Sequence, residues 1–290
     1  MSAAAIACNL CGTTDPTLLI VKDGFRVLRC RQCSLVFIGN PPDQHFLSQH
    51  YSFEAGYHRE LESNPASVEF HAAEARRNLA LLSRHRQGGT LLDIGCSTGL
   101  FLAKARAAGW VVRGIEYSAD SAQVARTAHG LDVISGALQA DSFAAAAFDV
   151  VTLWDVLEHV PDPQSTLRLA ATLLKPGGLL VVKTPNVDGL YPRWSLKALP
   201  YAGFWGHPEP PGHLFQFSVR TLHRMVCAAN LEPVGVSHAR IPLNYSFGTV
   251  AQWCRSLKWA AYCLAFIPVA WVGPALRSGD DITLVARRKP

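Results

Sequence analysis

The stretch Leu91-Leu92-Asp93-Ile94-Gly95-Cys96-Ser97-Thr98-Gly99 decides the fold of this chain. It begins as an apolar run, which indicates a buried strand, and it leads into the helical pattern of Leu100–Ala108. Gly95 permits a tight turn beside a ligand, and Gly99 lets the next helix begin close to the sheet. In an open α/β sheet, ligands bind at such turns, at the carboxyl ends of the strands. The stretch therefore predicts a ligand-binding turn between a strand and a helix.

The turn lacks the two best-known phosphate-binding patterns. A dinucleotide loop requires G-x-G-x-x-G, and Ser97 and Leu100 stand at the second and third glycine positions. A P-loop is excluded as well, because no Gly-Lys-Ser/Thr follows. Glu116 lies 23 residues after Asp93, at the end of the next predicted strand, where an acidic side chain can accept hydrogen bonds from ribose hydroxyls. The pattern indicates a nucleoside site that has a ribose acceptor but no pyrophosphate loop.

Strands and helices alternate on both sides of the turn. The apolar patterns predict further strands at 111–117, 132–138, 148–154, 179–184, 233–238 and 282–286. They predict helices at 118–129, 163–174 and 218–230, and Lys175-Pro176-Gly177-Gly178 is a stop signal after the second of these. The alternation indicates βαβ units and a mostly parallel sheet, which is an α/β fold.

Four motifs at this spacing resemble the class I S-adenosylmethionine-dependent methyltransferases. They are Asp93-x-Gly95-x-x-x-Gly99, Glu116, the stretch 148–160 (FDVVTLWDVLEHV), and Lys175-Pro176-Gly177-Gly178 before a strand. The resemblance covers residues 70–240 and the closing strand Asp281–Arg287. It implies a Rossmann-like seven-stranded sheet of order 3-2-1-4-5-7-6, with an antiparallel last strand, and S-adenosylmethionine as the cofactor.

The resemblance also implies which residues bind that cofactor. Asp93 would hold the methionine portion and Glu116 the ribose. The other implied residues are Gly95, Cys96, Ser97 and Gly99 on the floor, Tyr117 by the adenine, Leu138 along its edge, and Trp154 near the methionine amino group. Many relatives carry an aspartate that contacts the adenine amino group, whereas Ala137 stands near that place here and Asp141 is displaced. The residue that reads adenine stays open.

Two cysteine pairs near the N-terminus indicate a metal module. Cys8-x-x-Cys11 and Cys30-x-x-Cys33 are separated by 18 residues, and Asp23-Gly24 between them suits a β-hairpin. Four thiolates from two such turns can surround one tetrahedral zinc, which predicts a structural zinc ribbon. Four protein ligands leave no open coordination position, so a catalytic zinc is not expected. The alternative is a set of buried or redox-active thiols.

Two histidines are candidates for catalysis. Methyl transfer requires an in-line approach of the nucleophile, and a hydroxyl nucleophile gains from a base. His159 follows the fourth core strand, so it is either that base or a residue that orders the loop with Asp155 or Glu158; Glu158 and His159 are also potential metal ligands. His213 shares an aromatic, proline-rich loop with His207, and it either lies at the substrate site or bonds to main chain.

An apolar segment precedes the last strand. Trp259–Leu276 contains 18 residues without a charge, and we expect Pro268 and Pro274 to prevent a simple helix. A membrane span is excluded if the last strand joins the core sheet, because the strand would then lie across the membrane from it. Membrane-surface contact, a cover for a hydrophobic substrate and ordinary packing stay open.

Composition bounds the remaining choices. The 290 residues are 49% apolar and 17% charged, which excludes long disorder, and the net charge of +5 permits a phosphate-bearing partner or an anionic membrane surface without requiring either. Met1–Leu10 has no basic region followed by a long apolar run, so we expect no signal peptide and a cytoplasmic protein, with peripheral contact at the inner membrane face left open. The expected organisation is a zinc ribbon (1–38), a helical linker containing Tyr51 (39–88), the methyltransferase core (89–240, with a substrate loop about 186–217), an apolar insertion (241–278) and a terminal strand (279–290).

The pairing of a zinc ribbon, a linker and this methyltransferase core resembles bacterial enzymes that modify sugars, lipids or small metabolites. Sugar C-methyltransferases share the ribbon but carry a further large C-terminal domain, which favours O-methylation of a sugar, glycolipid or similar small metabolite here. One alternative is an RNA methyltransferase that holds phosphates with Arg26, Arg29 and Arg31, although the Asn/Asp-Pro-Pro-aromatic motif of many base methylases is absent and a nucleic-acid partner is not expected. The other alternative is a non-catalytic zinc-ribbon binding protein. The oligomeric state stays open.

Overall fold

The computed structural model describes residues 6–43, 46, 65–202, 209–240, 247–248 and 256–290. Tyr51 and His207 lie outside these residues. The strands are β1 (Pro16–Lys22), β2 (Phe25–Cys30), β3 (Val36–Ile38), β4 (Thr90–Ile94), β5 (Val111–Glu116), β6 (Val133–Ser135), β7 (Phe148–Trp154), β8 (Leu174–Pro185), β9 (Phe215–Gln216), β10 (Leu231–Ala239) and β11 (Asp281–Arg288). The helices are α1 (Pro65–Ser83), α2 (Leu100–Ala107), α3 (Ala119–His129), α4 (Pro163–Leu173), α5 (Leu190–Ala202), α6 (Val219–Ala228) and α7 (Leu257–Val272).

The larger sheet has seven strands in the order β10-β11-β8-β7-β4-β5-β6. The pairs β4–β5, β4–β7, β5–β6 and β7–β8 are parallel, and β11 runs antiparallel to both β8 and β10. When these strands are numbered along the chain from β4, the order is 3-2-1-4-5-7-6. The predicted fold class and sheet order are confirmed.

Helices cover this sheet on both faces, which explains why its central strands are apolar on both sides. Neighbouring residues of one strand point to opposite cores. Val151 belongs to the core shared with α4 and α6, whereas Val150 belongs to the core shared with α1, α2 and α3. The apolar edge of α1 enters the second core through Ala75 and Leu82.

The smaller sheet joins the N-terminal module to a distant loop. Its order is β1-β2-β3-β9, and Asp23 and Gly24 form the β1–β2 turn with φ of 51° and 79°. These left-handed conformations suit a tight hairpin. Val36 of β3 pairs with Gln216 of β9, so a segment that follows α5 completes the sheet of the N-terminal module.

The apolar segment forms a helix, contrary to the expectation from its prolines. Pro268 lies inside α7, and the prediction that it would prevent a simple helix is wrong. Pro268 removes only the amide that would bind the Leu264 carbonyl, and Leu264 is 70% exposed, so water can bind that oxygen instead. In the part of the chain that the structure describes, no helix has both the length and the apolar character that a membrane crossing requires.

Candidate active site

The turn between β4 and α2 is held in a conformation that glycine favours. Gly95 and Gly99 have φ of 74° and 84°. The Gly95 amide donates to the Ile115 carbonyl over 2.8 Å, and a Cβ on Gly99 would lie 2.5 Å from Cδ1 of Leu131. Both positions therefore combine a left-handed backbone with a close neighbour. The turn presents the N-terminus of α2 at the carboxyl edge of the sheet, where a ligand can bind its amides.

Glu116 closes the same turn from the end of β5. Its two carboxylate oxygens accept hydrogen bonds from the Ser97 amide and the Ser118 amide, each over 2.8 Å. Burial raises the pKa of Glu116 above its ordinary value, and the two amide bonds oppose that shift. The carboxylate is thus fixed in place, and each oxygen retains a lone pair for a further donor such as a ribose hydroxyl.

Asp93 lies beneath the turn, at the end of β4. It is buried, and the Thr152 hydroxyl donates to its Oδ1 over 2.6 Å. Burial raises the pKa of Asp93 to about 8, with a smaller contribution from the charge of Glu116. A bound cation would lower the pKa of a carboxyl group in this environment, because the cation favours the ionised form.

Two partners of the turn were missed by the sequence reasoning. Thr152 orients Asp93, as described above. Gly114 lies under Cys96, and a Cβ on Gly114 would fall 2.6 Å from the Cys96 Sγ. A glycine inside an apolar strand is the signal that could have revealed this close approach. Cys96 is buried, so its side chain shapes the turn from below.

The remaining cofactor candidates lie around this edge with different exposures. Tyr117 follows β5 and is 40% exposed, whereas Leu138 is half-buried and packs against the core. The Trp154 ring packs edge-on against Phe101 with centroids 5.2 Å apart. Its buried indole N–H has no acceptor among the described residues. Asp141 is exposed, so the structure leaves the adenine-reading residue unassigned.

His159 and His213 are brought together at the end of β7. Their rings lie 4.8 Å apart at an angle of 70°. The Nδ1 of His159 lies 2.9 Å from the Gly212 carbonyl oxygen. A carbonyl only accepts, so Nδ1 carries the proton and the neutral ring has its lone pair on Nε2. This tautomer is the one that a general base or a metal ligand requires at Nε2.

Glu158 lies beside the two histidines. Burial, together with the charge of Asp155, raises the pKa of Glu158 well above its usual range. One ligand atom each from Glu158, His159 and His213 lie within 4.8 Å of one another, so the three side chains could hold a divalent cation. The loop is held there because the amides of Leu214 and Phe215 donate to the Glu158 carbonyl.

A buried lysine links α1 to the same edge of the sheet. The Lys183 Nζ lies 2.6 Å from Glu74, 2.5 Å from Asp155 and 3.2 Å from Asp281. Burial alone would lower the pKa of Lys183, but the three carboxylates hold it well above its usual value. Burial would raise the pKa of Glu74, but the hydrogen bond from His71 and the charge of Lys183 lower it to about 2. The sequence reasoning missed this cluster, although a lysine inside an apolar strand is a signal for it.

The four N-terminal cysteines converge. All four Sγ atoms lie within 4.8 Å of one another, with Cys8 and Cys33 3.4 Å apart and Cys11 and Cys30 3.5 Å apart. The Cys33 amide donates to the Cys30 Sγ over 3.4 Å. Burial would raise the pKa of Cys30, but this amide contact and a hydrogen bond from Cys11 lower it to about 7. Sulfur ligands in such a cluster suit a tetrahedral zinc.

Comparisons with known proteins agree with this architecture. A family model described as a methyltransferase domain matches residues 68–236. A ubiquinone biosynthesis O-methyltransferase of Bordetella avium is 34% identical over 160 residues, which are 52% of this chain and 65% of that protein. A second one, of Stutzerimonas stutzeri, is 40% identical over 105 residues, which are 34% of this chain and 45% of that protein.

A solved structure shows the fold alone. A S-adenosylmethionine-dependent methyltransferase from Thermotoga maritima superposes with a TM-score of 0.53 and 18% identity, over 85% of this chain and all of that one. The matches to the two curated relatives span about half to two thirds of their length. Neither the N-terminal cysteines nor α7 lies in the residues that the family model matches.

Proposed function

The chain belongs to the family of methyltransferase domains, and on this premise we propose that it transfers a methyl group from S-adenosylmethionine to a hydroxyl oxygen of a small metabolite. One observation carries the proposal. The Gly95–Gly99 turn is closed by Glu116 through amide hydrogen bonds, next to the buried Asp93. This turn has a ribose acceptor and a second carboxyl group, and it lacks a pyrophosphate loop.

The residues of the site have separate roles in the proposed reaction. S-adenosylmethionine supplies an electrophilic sulfonium methyl group when it is bound. Glu116 would hold the ribose hydroxyls and Asp93 would hold the methionine portion. His159 accepts the proton of the acceptor hydroxyl at Nε2 while Gly212 fixes the ring through Nδ1. Positioning supplies the largest share of the rate, because the reacting oxygen must approach the methyl carbon in line.

A sugar or glycolipid is the acceptor class that we propose more narrowly. The curated relatives are named as O-methyltransferases, which supports oxygen as the attacked atom. The N-terminal module supports the narrower class, because the pairing of such a module with this core resembles enzymes that modify sugars. An RNA acceptor has less support, since Arg31 pairs with Asp15 and the Arg26 guanidinium donates to the Gly39 carbonyl.

We assign the cysteine cluster to a structural zinc. Cys8, Cys11, Cys30 and Cys33 supply four sulfur ligands, which leaves no coordination position for a substrate. Asn9, between the first two ligands, donates to Asp162 at the start of α4 over 2.9 Å. The metal would therefore stabilise the contact between the ribbon and the core, and not the chemistry itself.

We also propose that the outer face of α7 contacts a membrane surface. Tyr262, Cys263 and Ala270 are buried against the protein, whereas Leu264 and Trp271 are exposed. A cation accompanies this face, since the Arg240 guanidinium carbon lies 3.7 Å from the centroid of the Trp271 ring, and it complements an anionic surface.

The test of the function is calorimetric titration of S-adenosylmethionine and S-adenosylhomocysteine into the intact protein. We expect micromolar binding that is lost in Glu116→Ala and retained in Glu69→Ala, an exposed acidic residue on α1. Acceptors that carry hydroxyl groups are then screened with methyl-labelled cofactor. Absence of cofactor binding to the folded, zinc-loaded protein would overturn the proposal.

A further inference from the structure

A cleft lined by cationic side chains lies outside the cofactor turn. Its volume is about 630 Å³, and its cationic residues are Arg193, Arg220, Arg224 and Arg277, with His223 and His238. Among the described residues, Asp188 is the one carboxylate that lines it. We call it the arginine cleft.

The four arginines have no hydrogen-bond or ion-pair partner for their side chains among the described residues, and no ion pair joins them to Asp188. Arg86 and Arg113, by contrast, are paired with Asp149 over 2.8 Å and with Asp132 over 2.6 Å. Four like charges around one cleft repel each other, and a bound anion removes that repulsion.

Two further features favour an anion at this place. The amides of Val219 and Arg220 begin α6, so they have no acceptor within the helix, and the helix dipole adds positive potential there. The Nδ1 of His238 is buried and has no partner among the described residues. Burial lowers the pKa of His238, and the nearby charge of Arg277 lowers it further, which shows the positive potential in the cleft.

The arginine cleft opens at the same edge of the sheet as the cofactor turn. Asn186 directly follows β8, His238 lies at the end of β10, and these two strands run parallel because both are antiparallel to β11. Neighbouring strands lie about 4.8 Å apart, so the ends of β8, β11 and β10 lie about 5 to 15 Å from the end of β7. A short metabolite can span that distance and reach His159.

We propose that the arginine cleft binds a phosphate or diphosphate group of the methyl acceptor, an inference that rests on the proposed function. Planar guanidinium groups form paired hydrogen bonds with phosphate oxygens, and several of them match a multiply charged group better than a single carboxylate. The acceptor is thus a phosphorylated sugar or a similar phosphate ester. Leu276 and Trp194 are neighbours of Arg277 and Arg193 in the chain and are exposed, so the phosphate ester is either soluble or part of a lipid head group.

The experiment measures anion binding separately from catalysis. Diphosphate, inorganic phosphate and acetate are titrated into the full-length protein at low salt, with the variants Arg220→Gln, Arg277→Gln and their combination. Arg76→Gln is the matched control, because this arginine is exposed on α1 and pairs with Glu69 there. Circular dichroism checks the fold, which we expect to be unchanged because the cleft arginines are exposed and unpaired.

We expect diphosphate to bind more tightly than phosphate, and acetate not to bind. Each cleft substitution weakens diphosphate binding by about tenfold, and Arg76→Gln leaves it unchanged. Vesicles of phosphatidylcholine, with or without phosphatidylglycerol, distinguish a lipid head group from a soluble ester as the source of the phosphate. If the cleft arginines govern binding to the anionic vesicles but soluble diphosphate does not bind, the phosphate belongs to a lipid.

The proposal would be overturned if the cleft variants bound diphosphate and anionic vesicles as tightly as the wild type does. Glu116→Ala separates this result from a failure of the methyltransferase function. That variant should bind diphosphate as the wild type does and lose S-adenosylmethionine. Binding of diphosphate by a wild-type protein that does not bind S-adenosylmethionine would refute the proposed function, and with it the assignment of the phosphate to a methyl acceptor.

Discussion

The cofactor side and the acceptor side of this site depend on different parts of the chain. At the cofactor turn, Ser97 and Glu116 are 19 residues apart in the chain. On the acceptor side, His159 and Gly212 are 53 residues apart, and the ribbon reaches the core through Asn9 and Asp162, which are 153 residues apart. The backbone of the cofactor turn therefore depends on β4, α2 and β5, with one more distant contact from Thr152 to Asp93, 59 residues apart, whereas the histidine pair depends on the loop that pairs with the ribbon.

The smaller sheet is the physical link in the second case. β9 pairs with β3, and His213 lies two residues before β9. The aromatic residues Phe37 and Phe215 belong to one apolar core with Cys8 and Cys33. Damage to the ribbon should thus reach the acceptor side and spare the cofactor turn.

The largest effect is expected from Cys30→Ser. The substitution removes one of four sulfur ligands, and structural zinc contributes on the order of 10 kcal/mol to the folding of small zinc modules. We expect loss of the zinc measured by atomic absorption, a lower unfolding temperature, and loss of methyl transfer. S-adenosylmethionine binding should persist in the same protein.

Cys227→Ser is the control, because Cys227 is an exposed thiol outside the cluster. Unchanged zinc content in Cys30→Ser would contradict the four-cysteine site. Loss of S-adenosylmethionine binding together with the zinc would show that the cofactor turn also depends on the ribbon.

The next effect is expected from His159→Ala. Loss of a general base lowers kcat by about 100-fold to 10,000-fold, and the Kd of S-adenosylmethionine should stay unchanged. The pH dependence of kcat should lose its acidic limb in this variant. A purely structural role for His159 predicts instead that kcat falls while its pH profile is preserved.

Gly99→Ala tests the local origin of the cofactor turn. The new Cβ would meet Leu131 at 2.5 Å on a left-handed backbone, so we expect a loss of about 1 to 3 kcal/mol in the free energy of unfolding and weaker cofactor binding. Gly109→Ala is matched in φ, at 92°, but meets no atom within 4 Å. A comparable loss of cofactor binding in Gly109→Ala would show that the contact at position 99 is irrelevant.

The smallest effect concerns pH. The pKa of Asp93 is raised to about 8 in the fold, above the 3.8 of an ordinary aspartate, so the stability that protonated Asp93 contributes is fully present below pH 4 and is lost as the pH rises through 8. A cationic ligand favours the ionised form, so S-adenosylmethionine affinity should increase with pH up to about 8, by at most about tenfold per unit. Calorimetry in buffers of different ionisation enthalpy measures the released proton, and Asp93→Asn should abolish both the slope and the release.

The sequence alone predicted the alternation of strands and helices, the position of the cofactor turn and the convergence of the cysteines, whereas the sheet order was implied by the family resemblance. These depend on apolar periodicity, on glycines where the backbone is left-handed, and on ligand spacing, which are all local properties. For that reason the sequence could predict Gly95, Gly99 and Glu116 as residues of the turn. The role of Gly114 could have been predicted in the same way.

The tertiary structure alone decided which distant groups meet. It placed Glu158 and His159 against His213, collected Glu74, Asp155 and Asp281 around Lys183, and brought four unpaired arginines to one cleft. It also let α7 continue through Pro268, on a helix whose Leu264, four residues earlier, is exposed. Such contacts depend on how the chain returns to one edge of the sheet, and no short stretch of residues carries that information.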